Sequence, residues 1–445
     1  MGQRSPLYIA MWRWHFYAGL YVIPFASLLA ITGGLYLFRP QIEASIYRRF
    51  FYVQSVQGTR LSPDEIVANV RRNPVWKKVV SYVPPMATNE SARVGVMEHG
   101  KVIDVFVNPY SGQILGEQNP STRIMQRVRN LHGKLLAGKY GQFFVETAGG
   151  WAFVLLVTGI FLWFPRRPFS VWGTLLPRFH TNKRTFLRDL HCVPAVYLAL
   201  AICFLVSSGM PWSLVSGAII KDLASHTPKP MAPGRTAPNI PAPDGTSPQQ
   251  WLAELPQMSA AQFQSTPTGK KPLSIAALME IARQDGVHDR YQLLLPTAKT
   301  GVYVIRALPA DLRDTAFIYV DQYSGATVGD IRWWDLSPMA KAVTFGTATH
   351  EGREFGVMNQ VVGLIVCLGV LGTCISGTVL WWQRRPSGRI GSPRLVRSFQ
   401  APRGIVISSI VLGILFPLVG FSLLLALGFD RYLLPKLPRL ARVLN

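Results

Sequence analysis

The chain is short of charge for its length and short of acid for its base. Charged residues make up 16% of its 445 residues, against 49% apolar, which excludes a highly solvated or disordered chain and points to a membrane protein. Asp and Glu number 23 against 46 Lys and Arg, a formal charge of +23. Much of that excess lies in short loops beside apolar runs, where it sets topology, so no nucleic-acid partner is expected. The only cysteines are Cys192, Cys203, Cys367 and Cys374, all in or at the edge of apolar runs. No CxxC occurs, so neither a thiol zinc site nor a disulfide framework is indicated. No CxxCH occurs either, which excludes covalent haem attachment by that motif. No nicotinamide or flavin fingerprint is present.

What the chain does have is long uncharged runs, since about 20 apolar residues cross a bilayer. Spans are expected at 14–38, 142–164, 190–212, 358–382 and 404–428. The first is too long for a signal peptide and lacks a clear cleavage site, so it reads as a retained helix. Basic loops at 165–189 and 383–403 follow the second and fourth spans. Short Lys/Arg-rich loops stay in the cytoplasm, which puts the N-terminus inside and the two polar segments, 39–140 and 213–356, outside. The tail with Arg431, Lys436, Arg439 and Arg442 would then also be outside, against the rule.

Each outer segment reads as a small α+β module. In the first, 61–72 opens with Ser-Pro-Asp-Glu, suited to a helix start. Strand-like runs with turns at 99–100 and 108–112 fill 94–117, and an amphipathic helix is expected over 121–137. The second begins with a Pro-rich stretch, 227–248, read as an extended loop, followed by a helix at 272–286 and three strand runs.

The segment 350–386 repeats 132–168 without a gap at a shift of 218 residues. His132 meets His350, Gly138 meets Gly356, Gln142 meets Gln360, Gly159 meets Gly377 and Trp163 meets Trp381, and both copies end in Arg-Arg-Pro. At a shift of 176, His15 meets His191, Tyr21 meets Tyr197 and Gly33 meets Gly209. The outer modules repeat as well: 107–112 reads VNPYSG and 320–325 reads VDQYSG. The expected fold is therefore an internally duplicated membrane α-helical bundle of about five spans, carrying two periplasmic α+β modules.

Of the eight histidines, His15, His191, His132 and His350 occupy duplicated positions. A polar group near membrane depth is costly and by default functional. His15 and His191 sit at the cytoplasmic ends of their spans; His132 and His350 sit just outside theirs. Each pair shares one depth, and two imidazoles facing across a bundle core are what a six-coordinate haem iron requires. Pairing across the membrane is disfavoured, because 15–38 alone covers about 35 Å of helix. Arg13, Arg184 and Arg188 lie near the inner pair, and Lys134 and Arg353 near the outer pair. They read either as partners for haem propionates or as solvated interface charge. Gly33 and Gly209 read either as room for a flat macrocycle or as close helix packing. The arginine pairs 166–167 and 384–385 read as topology anchors.

These features resemble the PepSY-associated transmembrane family, also called iron-regulated membrane proteins. The residues that carry the likeness are Trp14-His15, VNPYSG and VDQYSG, LHGKLLAG at 131–138, HEGREFG at 350–356, the two W-x-x-R-R-P ends and 416–434. Some members are similar to inner-membrane ferric-siderophore reductases holding two haems b. The resemblance implies PepSY-like modules, two haems b on the four histidines, and electrons delivered to ferric siderophore in the periplasm from a cytoplasmic or quinol donor. The Pro-rich stretch departs from the pattern and leaves the substrate open. A binding or regulatory module on a membrane anchor would leave four duplicated histidines without a role. A transporter fits two parallel repeats, but Glu146, near an end, is the one charge inside spans one to four.

Overall fold

The computed structural model describes residues 5–54, 58–76, 78–165, 170–226, 263–267, 269–288, 290–386, 389–392, 403–433 and 436–437. Arg166, Arg167, Pro168, the Pro-rich stretch 227–248, Arg394, Arg397, Arg439 and Arg442 lie outside the described residues. In chain order the helices are α1 (Pro6–Leu37), α2 (Arg39–Ile46), α3 (Arg48–Phe51), α4 (Pro63–Arg71), α5 (Ile124–Lys134), α6 (Gly138–Trp163), α7 (Lys183–Gly209), α8 (Val215–His226), α9 (Ile275–Gln284), α10 (Pro338–His350), α11 (Gly356–Arg384), α12 (Arg403–Leu415) and α13 (Pro417–Gly428). The strands are β1 (Val79–Val83), β2 (Ala92–Glu98), β3 (Lys101–Val107), β4 (Ile114–Gln118), β5 (Tyr291–Leu294), β6 (Val302–Ala307), β7 (Ala316–Asp321) and β8 (Thr327–Arg332). The chain divides into a helical unit (1–37, 128–220 and 360–445) and a sheet unit (38–127 and 221–359).

In the helical unit, α1, α6, α11 and the run formed by α7 with the turn after it are long and apolar enough to cross a membrane. Glycines set the approach of one helix to the next. A methyl added at Gly19 would meet Leu155, at Gly34 Leu364, at Gly149 Met210 and at Gly369 Leu198. Thus α1 and α7 each touch both α6 and α11, closing a four-helix ring in which the duplicated helices alternate. Duplicated glutamines tie the ring: Gln142 Nε2 donates to Trp212 O (2.6 Å), and Gln360 Nε2 to Leu37 O (2.9 Å). Each satisfies a carbonyl at the end of a span, where helix geometry leaves carbonyls without partners. The duplicated tryptophans act on the following loops, Trp163 Nε1 donating to Thr174 O and Trp381 Nε1 to Ile390 O.

The expected fifth span is not one helix. It breaks at Pro417 into α12 and α13, with Phe416 in a non-helical conformation between them. The two short helices fold back on each other where Gly413 faces Gly420. Proline cannot donate the backbone bond that would continue the helix. Tertiary partners then take up the turn: Phe153 stacks on Phe416 with ring centres 4.6 Å apart, and Trp151 Nε1 donates to Ser422 Oγ.

The sheet unit also differs from expectation, because the two modules are one sheet. All eight strands form a single antiparallel sheet in the order β4-β3-β2-β1-β5-β6-β7-β8. The join is β1 on β5, with Ser81 opposite Leu294 and Tyr82 opposite Leu293. Helices α4 and α9 contribute Ile66, Val67, Val70, Ile275, Leu278 and Ala282 to one shared core on the sheet. Helix α4 begins as its sequence foretells, with a capping box between Ser62 and Glu65. Its Asp64 carboxylate accepts from the Ile275 and Ala276 N–H groups, so it caps α9 of the other copy. The turn at 99–100 is present, with φ +46 at His99 and +74 at Gly100.

Candidate functional site

His15 on α1 and His191 on α7 meet inside the helical ring. Their ring centres are 6.3 Å apart and the ring planes cross at 78°. The helices that place them are held by the glycines facing each ring. A methyl at Gly159 on α6 would lie 3.2 Å from His15 Cε1, and one at Gly377 on α11 would lie 3.0 Å from His191 Cε1. His15 Nδ1 is 3.0 Å from Thr158 Oγ1. His191 Nδ1 is 3.1 Å from the Thr373 carbonyl and 3.4 Å from Ser376 Oγ. Both Nδ1 atoms are thus occupied by neighbours, which leaves each Nε2 for a ligand.

His132 is held in the same way. Its Nδ1 lies 2.9 Å from Thr32 Oγ1 on α1, and a methyl at Gly33 would lie 3.3 Å from its Cε1. Gly33 therefore faces an imidazole, a role different from the two weighed in sequence. His350 is the last residue of α10, in the sheet unit.

Three of the five cations expected near these histidines, Arg13, Arg188 and Arg353, have protein partners. Arg13 Nη1 donates to Ser392 Oγ and its guanidinium lies over the Tyr17 ring. Arg188 and Arg178 both bind Asp189, at 2.7 Å each. Arg353 binds Glu351 at 2.9 Å. Arg184 and Lys134 are exposed. Arg353 is thus paired with a carboxylate of its own, whereas Arg188 shares the single charge of Asp189 with Arg178. Arg384 lies over Trp12 and Arg385 over Trp382, at 4.5 and 3.5 Å from the ring centres. Cation–aromatic packing of this kind suits an interface anchor.

Glu146 is explained by local structure. Its carboxylate accepts from the Val215 and Ser216 N–H groups and the Ser216 hydroxyl, capping α8. The sequence reading missed Asp189, a fully buried carboxylate two residues before His191. It also missed Thr158, Thr32 and Ser376. Their one visible signal is that each immediately precedes a glycine at a duplicated position.

The donor set can be tested against a metal. Among the described residues no three His, Cys, Asp or Glu side chains gather to hold an ion. Zinc sites take three or four protein ligands. A tetrapyrrole supplies the equatorial ligands itself and asks the protein for two axial ones. With metal–nitrogen bonds of roughly 2 Å and each nitrogen a little over 1 Å from its ring centre, trans imidazoles have centres about 6 to 6.5 Å apart. The His15–His191 spacing fits that geometry.

The sheet unit carries a cleft of about 730 Å³ between α4 and α9, where the two copies join. Arg71, Arg72, Lys271, Asp64, Tyr303 and Gln322 line it among apolar side chains.

Four spanning helices closing a ring, with a duplicated antiparallel sheet beside them in sequence, define a multi-pass membrane protein with an extramembrane β domain. The chain belongs to the family described as PepSY-associated TM region, whose profile matches residues 12–384. No curated protein matches the chain.

Proposed function

We propose that this protein is an inner-membrane, dihaem b-type reductase that passes electrons outward to a ferric siderophore and releases iron(II). The observation that carries this reading is the His15–His191 pair: two imidazoles 6.3 Å apart in a four-helix ring, with no third ligand among the described residues. Haem b, when bound, supplies a one-electron site that cycles between Fe(II) and Fe(III).

The chain's own residues do the rest. His15 and His191 hold the inner group; His132 and His350, paired by the duplication, hold the outer one. Thr158 and Thr373 fix the imidazoles of the inner pair. The helical ring around them holds the ligands in place. With the basic loops taken as cytoplasmic by the positive-inside rule, electrons enter at the level of His15 and leave at the level of His132. The donor is a cytoplasmic reductant or a quinol. One electron converts one ferric chelate to iron(II) and free chelator. A quinol would give two electrons and two protons, serving two ferric ions. The cleft between α4 and α9, with Arg71, Arg72 and Lys271, suits an anionic chelate, and its size is that of a small-molecule site. A binding module on an anchor would use the cleft but leave the half-buried histidine pair without a role.

The test is haem analysis of purified protein and its variants. The wild type should give two non-covalent haems b per chain in a pyridine haemochrome assay. His15→Ala or His191→Ala should remove one, and His132→Ala or His350→Ala the other. The double variant within a pair should lose no more than either single. Wild-type protein without haem, made with haem in adequate supply, would end the proposal.

A further inference from the structure

We propose that three of the four duplicated histidines are set for metal ligation by a hydroxyl–glycine dipeptide on another span. Thr158-Gly159 serves His15, Thr32-Gly33 serves His132, and Ser376-Gly377 serves His191. This rests on the dihaem reading and assigns positioning residues within it.

The argument begins with where the hydroxyl protons go. Thr158 Oγ1 donates to Val154 O at 2.6 Å, and Thr32 Oγ1 donates to Leu28 O at 2.7 Å. Each hydroxyl has a single proton, so toward the histidine each oxygen can only accept. His15 Nδ1 and His132 Nδ1, at 3.0 and 2.9 Å, must therefore be the donors. The Thr373 carbonyl has no proton at all, so His191 Nδ1 donates to it too, while Ser376 Oγ donates to the same carbonyl. All three rings are thereby fixed as the tautomer with the proton on Nδ1. Each Nε2 then carries no proton, the form in which an imidazole ligates a metal.

The glycine does the second half of the work. A methyl there would lie 3.0 to 3.3 Å from Cε1 of the same ring, tighter than ordinary contact, so glycine lets ring and hydroxyl meet without pushing the ring aside. The dipeptide recurs at both repeat shifts: 158–159 with 376–377, and 32–33 with 208–209. Ser208 makes the matching back-bond, Oγ donating to Phe204 O at 2.7 Å.

A hydrogen bond from Nδ1 raises the basicity of the ligand nitrogen and favours Fe(III). Potentiometric redox titration of the purified holoprotein, followed optically with EPR of the oxidised form, separates this role from packing. Thr158→Val keeps the volume and removes the acceptor. It should retain both haems and raise the midpoint potential of the inner one by up to about tenfold in the reduction equilibrium, ~59 mV. Thr158→Ser should restore the wild-type value. Thr32→Val should move only the outer haem. Gly159→Ala should lower inner haem occupancy. Wild type without haem overturns both this inference and the reading it rests on. Two haems whose potentials and EPR signals stay unmoved in Thr158→Val and Thr32→Val overturn this inference alone.

Discussion

Asp321 and Asn108 hold equivalent turns by different chemistry. Asn108 Oδ1 accepts from the N–H groups of Tyr110 and Ser111; Asp321 Oδ1 accepts from those of Tyr323 and Ser324. Both turns close on a left-handed glycine, φ +73 at Gly112 and +75 at Gly325, which is why the motif ends in glycine. Asp321 also accepts from Thr266 N–H and the Ser324 hydroxyl. Burial works against its ionisation, but the donors from Ser324, Tyr323 and Thr266 outweigh it and hold the carboxyl down to about 2. The folded value is below the unfolded one of about 3.9, so the stabilisation is present above that pH and is lost as pH falls toward 2. Asp321→Asn should keep the turn, as Asn108 does in the other copy. It should also flatten the stability of the sheet unit between about pH 4 and pH 2, measured by denaturant unfolding monitored on that unit. An unchanged acid slope would show that the turn carboxylate does not contribute.

At the scale of elements, the α12–α13 hairpin bears most on topology. Helices of 13 and 12 residues rise about 20 Å each, short of the roughly 30 Å hydrocarbon core. Neither crosses alone, and the bend at Pro417 sends the chain back toward the side it came from. A hairpin that returns at this bend would bring the basic tail, with Arg431 and Lys436, to the side of the 383–403 loop, as the positive-inside rule asks. Single cysteines at Arg389→Cys and Leu437→Cys, in a chain with the four natural cysteines replaced by alanine, should react with an impermeant maleimide from the same side. Reaction from opposite sides would restore a full fifth span. Val419 packs where a methyl on Gly150 would sit, so Gly150→Leu should displace the hairpin from α6. Trp151, whose indole donates to Ser422, reports that displacement by fluorescence.

At the scale of the sheet unit, the two modules share one core and one sheet. Leu293 on β5 is 1% exposed and sits opposite Tyr82 of β1, itself 1% exposed. Leu293→Ala should cost about 2–5 kcal/mol, as buried leucine truncations do. Because strands of both copies meet here, hydrogen exchange should quicken in β2 and β3 as well as in β6 and β7. Loss of protection confined to β5–β8 would mean that the copies unfold independently. The join also protects the fold. It covers the β1 and β5 edges, which would otherwise be unpaired and open to other chains.

Local chemistry in the sequence determined the first four spans, the helices near 61–72 and 272–286, the glycine turns and the duplicated histidines. Apolar length, capping residues and turn residues act over a few positions, so they can be read in a line. The tertiary structure alone decided what each histidine touches. Thr158 reaches His15 across 143 residues, and Gln360 reaches the end of α1 across 323. It also decided that the modules merge, since strand edges pair with whatever complementary edge the chain brings near. Proline marks the limit. Pro24 and Pro194 lie inside continuous helices, whereas Pro417 ends one. The residue removes the same backbone donor in each case. What differs is whether neighbouring helices hold the chain straight or, as Phe153 and Trp151 do, receive it after it has turned.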